Sequence, residues 1–116
     1  MIAVIFEVWP AEGRKDHYLE LAKQLREDLV KVDGFISVER FQSITDPGKL
    51  LSLSIFRDEA AVAAWRNLHR HRTAQATGRS GVFADYRIRV ASVLRDYSMT
   101  ERREQAPDDS QEHHGG

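Results

Sequence analysis

The sequence predicts a ferredoxin-like α+β sandwich of order βαββαβ, with two helices on one face of a four-stranded antiparallel sheet. Three observations predict it. Four stretches rich in β-branched and aromatic residues alternate with two stretches that repeat apolar residues every three or four positions. The turn Thr45-Asp46-Pro47-Gly48 joins the middle two strands as a hairpin. The first strand, MIAVIFEVW over residues 1–9, is apolar on both of its alternating faces, so both sides of it must be covered.

The elements follow in order. In the first strand, Ile2, Val4, Phe6 and Val8 share one face, and Met1, Ala3, Ile5 and Trp9 the other. Pro10 stops it and Glu12-Gly13 turns the chain. Residues 14–31 carry Tyr18, Leu21, Ala22, Leu25 and Leu29 on one helical stripe, with Lys23, Arg26 and Glu27 among the solvent positions. Gly34 ends that helix region. Residues 35–43 and 49–56 are the hairpin strands. Asp58 is placed to cap a second helix over residues 59–75, which buries Ala61, Ala64 or Trp65, and Leu68. Gly78 to Gly81 breaks the chain. Residues 83–97 read as a long last strand. Its even face holds Ala84, Tyr86, Ile88, Val90 and Leu94, and its odd face mixes Asp85, Arg87 and Arg89 with Ala91, Val93 and Tyr97.

With both helices on one face, the other sheet face stays bare in a single copy. Its apolar character predicts a homodimer in which two sheets pack face to face.

Composition narrows the function. The chain has 116 residues, with 17 Lys+Arg against 18 Asp+Glu and a formal charge of -1, so no charge excess favours nucleic acid or an anionic membrane surface. It has no Cys, hence no disulfide, thiolate nucleophile or cysteine-held metal, and a cytoplasmic setting is the expectation. The apolar run at residues 1–6 is too short to span a membrane and lacks a basic leader. From Thr100 the chain reads TERREQAPDDSQEHHGG, whose only non-polar side chains are Ala106 and Pro107, too little to offset ordering entropy. The expected organisation is one domain over 1–98 and a disordered polar tail over 99–116. The tail's His113-His114 pair is given no role.

No strong catalytic motif is present. The chemistry-bearing stretch is WRNLHRHR, residues 65–72. His69 and His71 lie two apart on a helix, about 200° around its axis, so they cannot share one metal site and only one can face a pocket beneath the helix. His69 shares a face with Trp65, and His71 with Asn67. An imidazole held in a cleft would suit proton transfer or hydrogen bonding near neutral pH. Otherwise both are solvated surface residues. Arg66, Arg70, Arg72 and Arg79 form a basic segment. It reads either as a solvated helix end or as a device for capturing an acidic or phenolate-like ligand. Arg87 and Arg89 need a carboxylate partner such as Asp85 or Glu39, or else anchor a ligand. Asn67 and Tyr86 are further candidates.

The run GFISVERFQSITDPGKLLSLSIFRDEAAVAAWRN, then HRTAQATGR, then FADYRIRVASVLRDY, resembles the antibiotic biosynthesis monooxygenase family across residues 1–98. The resemblance implies a dimeric α+β barrel and cofactor-independent oxygenation of an electron-rich phenol or quinol by O₂. It implies Trp65 as a substrate-contacting indole, His71 as the first choice for proton transfer, and Arg87 as the group that steadies a phenolate. Asn67, His69, Tyr86 and Phe6 complete the implied substrate-binding set, and no metal is implied. The Asn that some members carry one turn before the Trp is Ala61 here. A branch of similar proteins degrades haem. Of its markers this chain keeps Trp65, while Gln75 and Phe6 stand where that branch has its axial His and an Asn. Haem is therefore disfavoured, although His69 or His71 could ligate it. A third reading is a non-catalytic ligand-binding or stress-response dimer.

Overall fold

The computed structural model describes residues 1–77 and 81–101, with only the backbone considered at 75–77. Among these residues the elements are β1 (Ile2–Pro10), α1 (Lys15–Leu29), β2 (Phe35–Gln42), β3 (Leu50–Phe56), α2 (Glu59–Thr77) and β4 (Phe83–Ser92). The strands form one sheet of order β2-β3-β1-β4, and every neighbouring pair is antiparallel. This is the predicted ferredoxin-like α+β fold. Arg79 and the tail beyond Glu101 lie outside the described residues.

Strand periodicity decides which face takes the helices. Val4, Phe6 and Val8 of β1 and Leu50, Ser52, Ser54 and Phe56 of β3 are buried beneath α1 and α2. Two clusters fill that layer. One joins Val4, Phe56, Leu25, Leu29 and Trp65; the other joins Phe6, Val8, Tyr18, Ala22 and Val82. Asp58 caps α2 as expected, its Oδ1 accepting the Ala61 N–H at 3.0 Å. Arg72 then ties α2 to α1, donating from Nε and Nη2 to the Asp28 carboxylate at 2.6 and 2.9 Å.

Gly34 occupies a position only glycine suits. Its φ is +92°, and a Cβ there would lie 2.9 Å from the Ala61 Cβ. The α1–β2 turn can therefore press directly against the first turn of α2.

On the opposite face, Ile5, Leu51, Leu53 and Ile55 are half-buried with no helix above them. Glu7 sits among them, paired with both Lys49 and Arg89. Those contacts hold the Glu7 carboxyl below its ordinary range, the Lys49 hydrogen bond contributing most. The expected partners of Arg89, Asp85 or Glu39, are corrected to Glu7. Arg87 is the cross-strand neighbour of Glu7, and Arg89 reaches it from one pleat along. Asp85 instead accepts the Tyr86 N–H at 2.8 Å.

The last strand is shorter than the expected 83–97. It ends at Ser92 because its partner β1 ends opposite it at Ile2, after which one hydrogen bond from Val93 N–H to Met1 O closes the ladder. β4 is also an edge strand, and only its first residue, Phe83, packs against helix side chains, those of Tyr18 and His69. Its even face stays open, with Tyr86 54%, Ile88 39% and Val90 47% exposed. That open edge beside α2 creates the site.

Candidate functional site

α2 turns one stripe, Trp65, His69 and Thr73, toward the sheet at intervals of one helical turn. Trp65 is buried within the core, while His69 is half-buried one turn later, where β1 gives way to the edge strand. The His69 ring stands edge-on to Phe6 with centroids 4.9 Å apart, lies 5.1 Å from the Trp65 indole, and runs parallel to Phe83 at 6.3 Å. Such a cage favours the uncharged imidazole. Burial pushes the His69 pKa down to about 4, so the ring is neutral at pH 7. Its Nε2 is shut off from solvent and has no hydrogen-bond partner among the described residues, and the same holds for Thr73 Oγ1. Unpartnered buried polar atoms are costly, which makes this pair a candidate position for a water or ligand contact.

Beside this stripe lies a cavity of about 480 Å³ between α2 and β4. Trp65, Phe83, Ile88 and Val90 make its apolar wall, with Tyr86 at one side. His69 and Thr73 contribute its neutral polar positions, and Arg66 and Arg70 its charged rim. Its size is in the range of small-molecule pockets. A far smaller chamber of about 10 Å³ lies deeper and is also lined by Trp65 and His69. Arg40, Tyr18, Ser52 and Ser54 make its polar side, and it has room for roughly one water. Arg40 donates to the Ala22 carbonyl at 3.2 Å, and burial raises the Tyr18 hydroxyl above its ordinary pKa.

The structure gathers only part of the sequence-predicted set. Trp65, His69 and Tyr86 line the large cavity, and Phe6 lies directly beneath His69. His71, the first choice for proton transfer, is exposed and does not line it. The reason is helical geometry: two residues on from His69, it is carried around to the α1 side, near Asp28. Asn67 is exposed for the same reason. Arg87 belongs to the odd face of β4, across the sheet from the cavity. Residue types alone did not single out Thr73, Phe83 or Arg40. The spacing of Thr73, one turn after His69, was the available signal for it.

Among the described residues no three His, Asp or Glu side chains gather to hold a metal ion, and no helix is long and apolar enough to cross a membrane.

Comparison with known proteins decides the family. The sequence model for antibiotic biosynthesis monooxygenases matches residues 1–77. The chain belongs to the antibiotic biosynthesis monooxygenase family. The match covers β1 through α2, including the stripe that carries Trp65, His69 and Thr73. A relative within reach of this family member is the jasmonate monooxygenase ABM of Pyricularia oryzae, 47% identical over 93 residues. That alignment takes in 80% of this chain but only 43% of the relative's length. Solved structures share the family member's fold. A Mycobacterium tuberculosis protein superposes with a TM-score of 0.71 at 19% identity, covering 84% of this chain and 98% of its own. A Pseudomonas aeruginosa protein gives 0.67 at 18% identity, covering 80% and 93%. At such identities these likenesses speak to fold alone.

Proposed function

We propose that this chain is a monooxygenase that binds a small aromatic, quinol-like molecule in the α2–β4 cavity and oxidises it with O₂, without metal, flavin or haem. The observation that carries the proposal is the His69 imidazole: neutral, unpartnered at Nε2, and caged by Phe6, Trp65 and Phe83 beside an apolar cavity. A flat ring lies against Phe83 and Trp65. Its hydroxyl becomes the partner of His69 once the imidazole turns slightly toward it.

Alone, an imidazole of such low pKa is a weak base. A phenolate forming beside it favours the imidazolium, so proton transfer and ion-pair formation proceed together. The phenolate delocalises charge onto a ring carbon that bears hydrogen. O₂ adds at that carbon, and the peroxide loses water to leave a carbonyl. Overall, one phenol and one O₂ give one quinone and one water. All four electrons accepted by O₂ come from the substrate, so no reductant is needed. In the same proposal two chains pair through the outer sheet face, where Ile5, Leu51, Leu53 and Ile55 are half-buried.

A second reading is favoured by the 47% identity to a relative named for jasmonate. Jasmonate is a cyclopentanone carboxylate without a phenol. Hydroxylating it consumes two electrons and two protons beyond O₂, so that reading requires an external reductant such as a reduced flavin.

An oxygen electrode separates these. With 1,5-dihydroxynaphthalene and no reductant, the first reading expects one O₂ consumed per hydroxyquinone formed, and loss of uptake in His69→Ala. Uptake only with jasmonate plus reduced flavin transfers support to the second reading. A Soret shift on haem titration that disappears in His69→Ala would overturn the cofactor-free mechanism. Silence in all assays would leave a non-catalytic binding dimer.

A further inference from the structure

Arg66 and Arg70 sit one turn apart on α2, about 6 Å along its axis, and both line the rim of the 480 Å³ cavity. Both are exposed, and among the described residues no carboxylate pairs with either. Among the described residues no acidic side chain lines the cavity. The whole chain is nearly balanced, with a formal charge of -1, so two adjacent cations at one rim depart from its average.

The helix dipole does not account for these charges, because α2 runs to Thr77 and its last turn holds no basic residue. The comparison within the helix is Arg72. It follows in the same segment, turns toward α1, and is held there by Asp28. The arginine that faces the protein has an acid; among the described residues the two at the cavity rim have none.

We propose that the occupant of this cavity is an anion: a small ring compound whose carboxylate is held by Arg66 and Arg70 while its ring lies against Trp65, Phe83 and Ile88. Guanidinium groups match a carboxylate with paired N–H donors, and two of them one turn apart can share it. The adjoining apolar wall excludes water from one side of the ion pair and strengthens it. His69 and Thr73 line the cavity without adding charge, so among the described residues the net charge there is set by the two arginines. The polarity of the site is thus a charged rim, an apolar wall and a neutral polar floor, which suits an amphipathic ring acid bound acid-outward. This inference shares with the first functional reading the location of the site and the ring seat on Trp65 and Phe83, and adds the anion that the second reading also carries. It holds whether or not the chain catalyses oxygenation.

The test is calorimetric titration of the full chain with naphthalene-1-acetic acid and with its methyl ester. The two share a ring and differ by one charge. The acid is expected to bind at least about tenfold more tightly. The double variant Arg66→Gln/Arg70→Gln should lose that preference while keeping its affinity for the ester and its melting temperature. Arg66→Lys/Arg70→Lys should recover part of it, and 0.5 M salt should narrow the gap. Equal binding of acid and ester, no binding of the acid, or an unchanged preference in the double Gln variant overturns the proposal. The two ideas fail separately. Acid preference without O₂ consumption in any assay retains this inference and removes the monooxygenase reading. O₂ consumption on neutral phenols without acid preference does the reverse.

Discussion

The imidazole of His69 stands edge-on to the ring of Phe6, centroids 4.9 Å apart and planes at 80°. This contact joins α2 to the middle of β1 and presents the hydrogen-bearing edge of one ring to the electron-rich face of the other. It also keeps water from the imidazole. With Trp65 and Phe83 it fixes the position of the candidate base, and the burial they share keeps the ring neutral.

Removing that base should cost activity, and removing its neighbour should not. His69→Ala is expected to lower kcat/KM for phenol-dependent O₂ uptake by about 10²–10⁴, the usual share of general acid–base catalysis. His71→Ala should stay within about twofold, because His71 faces solvent on the other side of the helix. Steady-state kinetics of the two variants under identical conditions reads the contrast. The reverse order would return the role to His71.

The depressed His69 pKa predicts a pH dependence of stability. The ring binds its proton at about 4 when folded and near 6.5 when unfolded. Between these values the unfolded chain holds more protons, so stability rises with pH there. The His69 contribution is fully present above pH 6.5 and is lost as pH falls through about 4. The shift corresponds to at most roughly 3 kcal/mol. Urea midpoints from pH 4 to 7 should therefore slope less steeply in His69→Phe than in the wild type. Parallel profiles would show that burial does not perturb this imidazole.

Trp65 has two roles, and its variants must be read accordingly. It packs with Val4, Leu25 and Phe56 as well as lining the cavity. Trp65→Ala should cost about 3–5 kcal/mol of stability through the space it leaves. Trp65→Phe should keep most of the packing and alter mainly ligand affinity. Thermal melts run beside the binding titrations separate the two effects.

Gly34 should tolerate no side chain. Gly34→Ala forces a left-handed φ of +92° on a residue with a Cβ and drives that Cβ to 2.9 Å from Ala61. A loss of about 1–3 kcal/mol is expected from chemical denaturation. Gly48→Ala is the control, since the nearest atom is 3.5 Å away and φ is not in that region. Equal effects in the two variants would mean that the Gly34 contact relaxes at no cost.

The proposed pairing through the outer sheet face has its own test. Leu53→Asp places a charge among Ile5, Leu51 and Ile55 without touching the helix-side core. Sedimentation should give twice the chain mass for the wild type and a single chain mass for the variant. A wild-type monomer at micromolar concentration would rule the pairing out.

Much of the molecule was legible before folding. Period-two and period-three-to-four patterning identified all six elements in order, and Asp58 announced the start of α2 correctly. The stretch 65–72 was singled out in the sequence, and its spacing showed that only one of its histidines could face inward. Local periodicity fixes angles within a helix, but it says little about which stripe meets the sheet. Burial of Trp65 settled that rotation, bringing His69 and Thr73 in and turning His71 and Asn67 out. The side of the sheet taken by Arg87, and its separation from the cavity, depended on the pairing of β4 with β1.

By its sequence alone, then, this protein was a βαββαβ sandwich whose first strand needed cover on both faces and whose candidate chemistry lay with His, Arg, Tyr and Trp. Only the tertiary structure decided where that chemistry gathers. Strand order β2-β3-β1-β4 leaves β4 at the edge, and the cavity opens between β4 and α2. That order is set by pairing between residues as far apart as Ile2 and Ser92. Such long-range contacts leave no local mark in the residues that make them, because each strand's pattern records what it buries and not which strand lies beside it.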